Sequence, residues 1–296
     1  SRFEWYQLGN SHFLFLVLML QYHFCRRIAL GHLVRQTCLY LFSDLPPGLP
    51  DSITVVGGLV PSLLILQPAV QERRHLGTAD LDVGLALGLR GEMEYEALTA
   101  ALTALRFQPE RIEDGRPTSM RWQLDPTVAP HVLIDILPVA EQEATSPAIG
   151  RIPGIELSER TQFAFRDREK VVISGTCLAG RERRVSIWVC GPGSYIVIKA
   201  LMFQQRQFSK DAYDLFYVLR NYGTGVHEVA SRLAPLLHGS TQAARAIEIL
   251  QSDFADPNGE GAIAVSVFLY GKQDEDVQAD VAGFTARLLA FFGENS

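Results

Sequence analysis

Thr78-Ala79-Asp80-Leu81-Asp82-Val83 is the stretch on which the reading of this chain turns. In a β-strand residues i and i+2 share a face. Asp80 and Asp82 then project side by side, while Leu81 and Val83 enter a core that Leu85 and Leu87 extend. Adjacent carboxylates repel, and a cation between them relieves the repulsion. A hard ion such as Mg²⁺ takes carboxylate oxygens and shares them with substrate phosphates. Two solvated acids on an edge strand would give the same short pattern, so the flanking sequence has to decide.

Working toward the N-terminus, Asp51 to Val56 reads as a short buried strand rich in β-branched residues. It runs straight into Gly57-Gly58, after which Leu59 to Leu66 reads as a helix with Pro61 in its first turn. Strand, glycine pair and helix form a corner where backbone N–H groups can approach a phosphate. A glycine pair after a strand is also an ordinary turn. Gln71 to Gly77 is a polar connection carrying Arg73, Arg74 and His75. Arg27 to Phe42 reads as a helix stopped by Asp44-Leu45-Pro46-Pro47-Gly48. Phe13 to Leu20 is continuously apolar but too short to span a bilayer.

Working toward the C-terminus, a helix is expected over Glu92 to Arg106, a loop from Pro109 to Pro117, and a strand over Ser119 to Leu124. His131 to Leu137 is a strong strand with Asp135 set among Val132, Leu133, Ile134, Ile136 and Leu137. A carboxylate there is costly unless paired or bound to a metal, although it could also cap a loop. Val171 to Ser174 and Val185 to Cys190 read as strands joined by a hairpin with Arg181, Arg183 and Arg184. A helical region is expected from Ser194 to about Tyr222, with Lys199, Arg206, Lys210 and Asp214 on one face of a continuous helix. A salt-bridged outer face would show the same spacing. The remainder reads as helical, ending in a stripe of Val277, Val281, Phe284, Leu288 and Phe291.

The chain has 296 residues, 47% of them hydrophobic, and a formal net charge of -6. That content supports a sizeable core and excludes global disorder. The acidic balance argues against a strongly basic nucleic-acid-coating protein but leaves room for a local basic groove. Cys25, Cys38, Cys177 and Cys190 form no close pair, so zinc-ribbon and thioredoxin readings lack support. Buried reduced thiols in a cytoplasmic protein are expected, with no membrane partner.

Together, Gly57-Gly58, Thr78-x-Asp80-x-Asp82 and Asp135 resemble the nucleotidyltransferase superfamily with the DNA polymerase β-type fold. Lys199-Ala-Leu, Arg206 and Lys210-Asp211-Ala-x-Asp214-Leu215 resemble its AbiEii/AbiGii-type branch, the nucleotidyltransferase-like toxins of type IV toxin–antitoxin and phage-defence systems. The likeness covers roughly Ser52 to Tyr222, and Gly58 stands where the superfamily's simplest pattern has serine.

The resemblance implies an α+β fold, a mixed sheet with flanking helices followed by a helical C-terminal domain. Segments 1–50, 51–190 and 191–296 would then be an N-terminal helical segment, the catalytic domain and the C-terminal domain. It implies Mg²⁺-dependent transfer of a nucleotide from an NTP to an acceptor such as the 3′ end of tRNA, with a cognate antitoxin as partner. Asp80, Asp82 and Asp135 would hold metal, with Asp135 alternatively the base. Gly57, Gly58, Thr78, Lys199 and Arg206 would bind nucleotide, and Lys210, Asp211 and Asp214 would complete the catalytic set. A protein side chain or a small molecule such as an aminoglycoside is an alternative acceptor, and a non-catalytic NTP-binding module is the alternative outside enzymology. Arg73, Arg74, Arg181, Arg183 and Arg184 are the candidates to line an RNA groove.

Overall fold

The computed structural model describes residues 30–66, 75–87, 91–111, 113, 115–128, 132–140 and 157–293. The apolar stretch Phe13–Leu20, Cys25, Arg73, Arg74 and His131 lie outside them. The first helix, α1, spans 30–43 and buries Val34, Cys38, Leu39, Leu41 and Phe42.

Seven strands form one mixed sheet: β1 (Ile53–Val56), β2 (Asp80–Leu87), β3 (Phe107–Arg111), β4 (Pro117–Leu124), β5 (Leu133–Ala140), β6 (Arg168–Thr176) and β7 (Glu182–Cys190). Their order is β3-β4-β5-β2-β1-β7-β6. β1 is buried at all four positions, as a short strand with neighbours on both sides should be. It runs antiparallel to β2 and parallel to β7, while β2 runs parallel to β5. The expected mixed sheet with flanking helices and a helical C-terminal region is the observed architecture.

Several local expectations need correction. The segment after Gly57-Gly58 is a 3₁₀ turn, Gly57–Leu59, leading into a helix α2 of five residues, Val60–Leu64. Phe107–Arg111 is a strand, not the start of a loop. Its Pro109 is tolerated because β3 lies at the sheet's edge, where one side needs no ladder bond. Helix α3, Gly91–Ala104, follows β2, and a short helix α4, Phe163–Arg166, precedes β6.

The expected continuous helix after β7 is two helices. α5 spans Pro192–Arg206 and α6 spans Ser209–Asn221. Gln207 takes the left-handed conformation at φ 55°, which ends α5, and Phe208 is extended at φ -79°, ψ 119°. At the break Phe208 is 58% exposed. Helices α7 (Val226–Leu237), α8 (Thr241–Ile249), α9 (Glu260–Tyr270) and α10 (Glu275–Gly293) complete the C-terminal region. A single hydrophobic cluster joins α1, the sheet and these helices, from Val34 to Leu288. Cys38, Cys177 and Cys190 are free and buried within it. Among the described residues no helix is long and apolar enough to cross a membrane.

Candidate active site

β2 alternates as its sequence dictates: Leu81 and Val83 are fully buried, while Asp80 and Asp82 keep partial exposure on the opposite face. Two registers then place the third acid. Val56 pairs with Asp82 across β1 and β2, and Asp82 pairs with Asp135 across β2 and β5. Neighbouring strands lie about 4.8 Å apart, so Asp82 and Asp135 stand side by side, level with the end of β1.

Gly57 closes this corner. Its φ of +69° favours glycine, and a Cβ there would overlap the Asp82 carboxylate. Gly58 is held by closeness instead: a Cβ would lie 2.7 Å from the Thr78 side chain and 3.1 Å from Lys210 Nζ. Asp82, Thr78 and Lys210 are thus gathered around two residues without side chains.

Charge behaves accordingly. Burial, followed by repulsion from Asp135 and Asp80, pushes the Asp82 carboxyl up to about 7. Burial and Asp135 also raise Asp80, against the pull of Arg121 and Lys210. Neither carboxylate has an ion-pair partner within salt-bridge distance among the described residues. Asp135 does: Arg121 of β4, its cross-strand neighbour, donates from Nε to Oδ1 at 2.6 Å and from Nη2 to Oδ2 at 2.7 Å.

Beside the acids lies a second cluster. Lys199 of α5 donates to Asp211 Oδ1 at 2.8 Å and to Asp214 Oδ2 at 2.7 Å. Arg206 makes a two-bond fork with Asp211 at 2.6 and 2.9 Å. Lys210 reaches both Asp214 oxygens at 3.0 and 2.8 Å. The turn at Gln207 folds α6 back on α5, so Lys199 and Arg206 reach their acids across the turn, while Lys210 and Asp214 form an i,i+4 pair on α6.

The two lysines differ in access. The Lys199 side chain is 7% exposed and that of Lys210 33%. Burial opposes the charge on Lys199, yet Asp214 and Asp211 keep its pKa above the ordinary value. Burial brings Lys210 below its ordinary value, aided by the neighbouring Lys199 charge and opposed by Asp214. Burial alone would raise Asp214, but Lys199, Lys210 and His75 hold it well below the usual carboxylate range.

Two participants carry no signal of their own in the sequence. His75 Nδ1 accepts from the Gly77 N–H at 3.1 Å, which leaves Nε2 as the donor to Asp214 Oδ1 at 2.8 Å. Burial lowers its pKa despite that bond, so the neutral ring with the proton on Nε2 is the favoured form. Stacked on Tyr213 and edge-on to Tyr217, His75 ties the approach to Thr78 and β2 to α6. Arg121 sits among the polar positions of an alternating strand, so its face could be inferred, but its partner depends on register.

The arginine hairpin lies elsewhere. Arg183 and Arg184 stand opposite Gly175 and Ser174 in β6, whereas β7 meets β1 at Val189. That separation along β7 is roughly 15–20 Å. Arg181, Arg183 and Arg184 therefore do not flank the acids.

For a cation, the donor set is specific. Among the described residues no group of three His, Cys, Asp or Glu suits a metal ion. Two carboxylates, Asp80 and Asp82, are free of ionic partners, and Mg²⁺ is commonly bound by one or two carboxylates plus substrate phosphates. These two residues fit that mode; Asp135, chelated by Arg121, does not add a third oxygen donor in this arrangement.

The chain matches no protein-family model, and no curated protein matches it.

Proposed function

We propose that this protein is a nucleotidyltransferase that uses a nucleoside triphosphate and a divalent cation. The observation that carries the reading is the convergence of Asp82, Thr78 and Lys210 on the Gly57-Gly58 corner, with Asp80 beside them. Such a corner offers carboxylates for a cation and a lysine for phosphates. In this reading Asp80 and Asp82 would hold Mg²⁺, which would supply charge neutralisation for the triphosphate.

The remaining roles belong to the chain. Lys210 has three N–H donors, two of them committed to Asp214; among the described residues the third is left for a phosphate oxygen. Gly57 and Gly58 let Asp82, Thr78 and Lys210 pack against the backbone, which keeps the carboxylate and the lysine together at the corner. Lys199, Asp211, Arg206 and His75 act as positioning residues that fix Asp214 and α6 behind Lys210. An acceptor hydroxyl attacks the α-phosphorus and loses its proton to solvent, the bond from that phosphorus to the α,β-bridging oxygen breaks, and pyrophosphate leaves.

The acceptor is proposed on the resemblance: the 3′-hydroxyl of tRNA, within a toxin–antitoxin or phage-defence system. Arg181, Arg183 and Arg184 lend it no support, since they stand away from the acids. The test is incubation of the full chain with Mg²⁺, each labelled NTP in turn and a tRNA pool, with Asp82→Ala alongside. Label on tRNA that disappears in the variant is the expected result. Label on the protein or a small molecule would move the acceptor. No transfer and no Mg²⁺-dependent nucleotide binding would refute the reading.

A further inference from the structure

The third acid of the site is already occupied by the protein itself. Both oxygens of Asp135 accept from Arg121, in the planar two-bond geometry that matches guanidinium to carboxylate. The pair is built by register: Arg121 and Asp135 are cross-strand partners in β4 and β5, and Asp135 is the in-register neighbour of Asp82. The Asp135 side chain is 17% exposed, so water does little to compete for it. Arg121 is charged at any working pH, and it carries no lone pair with which to bind a metal.

Two-metal sites place ions roughly 3.5–4 Å apart, bridged by shared carboxylates. A second ion here would need oxygens of Asp135, the acid next to Asp82. Those oxygens face the Arg121 guanidinium instead, on a side chain 43% exposed and held by its two-bond fork. We propose that Arg121 takes the place of a second cation at Asp135, so that the site accepts one divalent ion, on Asp80 and Asp82 together with the nucleotide phosphates. Asp135 is then a positioning residue for Arg121, whose charge also acts on Asp80 across the same face. The inference rests on the nucleotidyltransferase reading and deepens it by setting the number of metal ions.

The test is electron paramagnetic resonance of Mn²⁺ added to the full chain with one equivalent of an NTP analogue that cannot be cleaved between the α- and β-phosphates. Wild type is expected to show the six-line spectrum of a single protein-bound ion. Arg121→Ala, which frees Asp135, is expected to show an exchange-coupled pair, and Arg121→Lys, which keeps the cation, a single ion. In the otherwise unaltered chain Asp135→Asn should lower Mn²⁺ affinity only about two- to threefold, through the uncompensated Arg121 charge, whereas Asp82→Asn should lower it about tenfold or more. That comparison stands even if Arg121→Ala does not fold.

A coupled pair in wild type, a lone ion in folded Arg121→Ala, or Asp135→Asn weakening Mn²⁺ as much as Asp82→Asn would each overturn the inference while leaving the nucleotide reading in place. Mn²⁺ that remains with the free analogue, giving no protein-bound signal in any chain, would overturn both.

Discussion

Replacing Lys199 by alanine separates support of the site from contact with substrate. The lysine is 7% exposed and gives one hydrogen bond each to Asp211 and Asp214, whose side chains are 1% and 0% exposed. Removing one member of a buried ion pair costs about 3–5 kcal/mol because the remaining charge is stranded. Neither carboxylate is fully stranded here. Asp211 keeps the Arg206 fork, and Asp214 keeps Lys210 and His75. The low end, about 3 kcal/mol, is therefore expected. At roughly 2–3 °C per kcal/mol for a chain of this size, Tm should fall by about 6–9 °C. Urea and thermal unfolding of Lys199→Ala would measure the loss, and nucleotide titration well below the midpoint would measure any direct contact. Lys210→Ala should show the opposite division. It is one-third exposed, so its stability loss should be about 1 kcal/mol or less, while nucleotide affinity drops. Unchanged stability with lost nucleotide affinity in Lys199→Ala would refute the supporting role.

Three further outcomes follow from the same geometry. The native Asp82 carboxyl titrates near 7, against 3.8 as its ordinary value, so the native state holds the proton more tightly than the unfolded state. Its contribution to stability is thus complete below about pH 4, falls as pH rises to about 7 and is level above. In metal-free buffer Asp82→Asn should be about 2 kcal/mol more stable than wild type at pH 8, after allowing for partial exposure, with the gain vanishing near pH 4; equal stability at pH 8 would contradict the crowding of the acids. Gly57→Ala should cost about 1–2 kcal/mol from its positive φ alone. By displacing Asp82 it should also cut transfer about 100-fold, whereas wild-type transfer would show that the corner tolerates a methyl group. His75→Phe keeps the ring against Tyr213 and Tyr217 but loses the bonds to Gly77 and Asp214, at a cost of about 1–3 kcal/mol. Hydrogen exchange at the Gly77 amide should then accelerate, and unchanged protection there would remove His75 from the account.

What the sequence by itself determined is local. Alternation places Asp80 and Asp82 together on the face opposite Leu81 and Val83, and the burial of β2 repeats that alternation. The β-branched run before Gly57, the strands around Asp135 and the final helical stripe were legible for the same reason, because strand and helix periods are written into neighbouring residues. The extent of single elements was less so. An exposed left-handed Gln207 divides α5 from α6, and no glycine or proline announces the break. Continuous-helix spacing therefore held for the Lys210–Asp214 pair within α6 but not for Lys199, which is buried and reaches Asp211 and Asp214 across the turn, while Lys210 faces the Gly58 corner.

Only the tertiary structure decided partners. The Arg121–Asp135 pair requires the β4–β5 register, and the His75–Asp214 bond joins residues 139 positions apart. The departure of Arg183 and Arg184 from the acids depends on which end of β7 meets β1. Registers and long-range bonds are set by how whole elements pack, and a one-residue slip would exchange the faces of a strand without altering its local pattern. The types of residue available to the site were thus fixed by the sequence, while the identity of the groups that neutralise each acid was fixed by the fold.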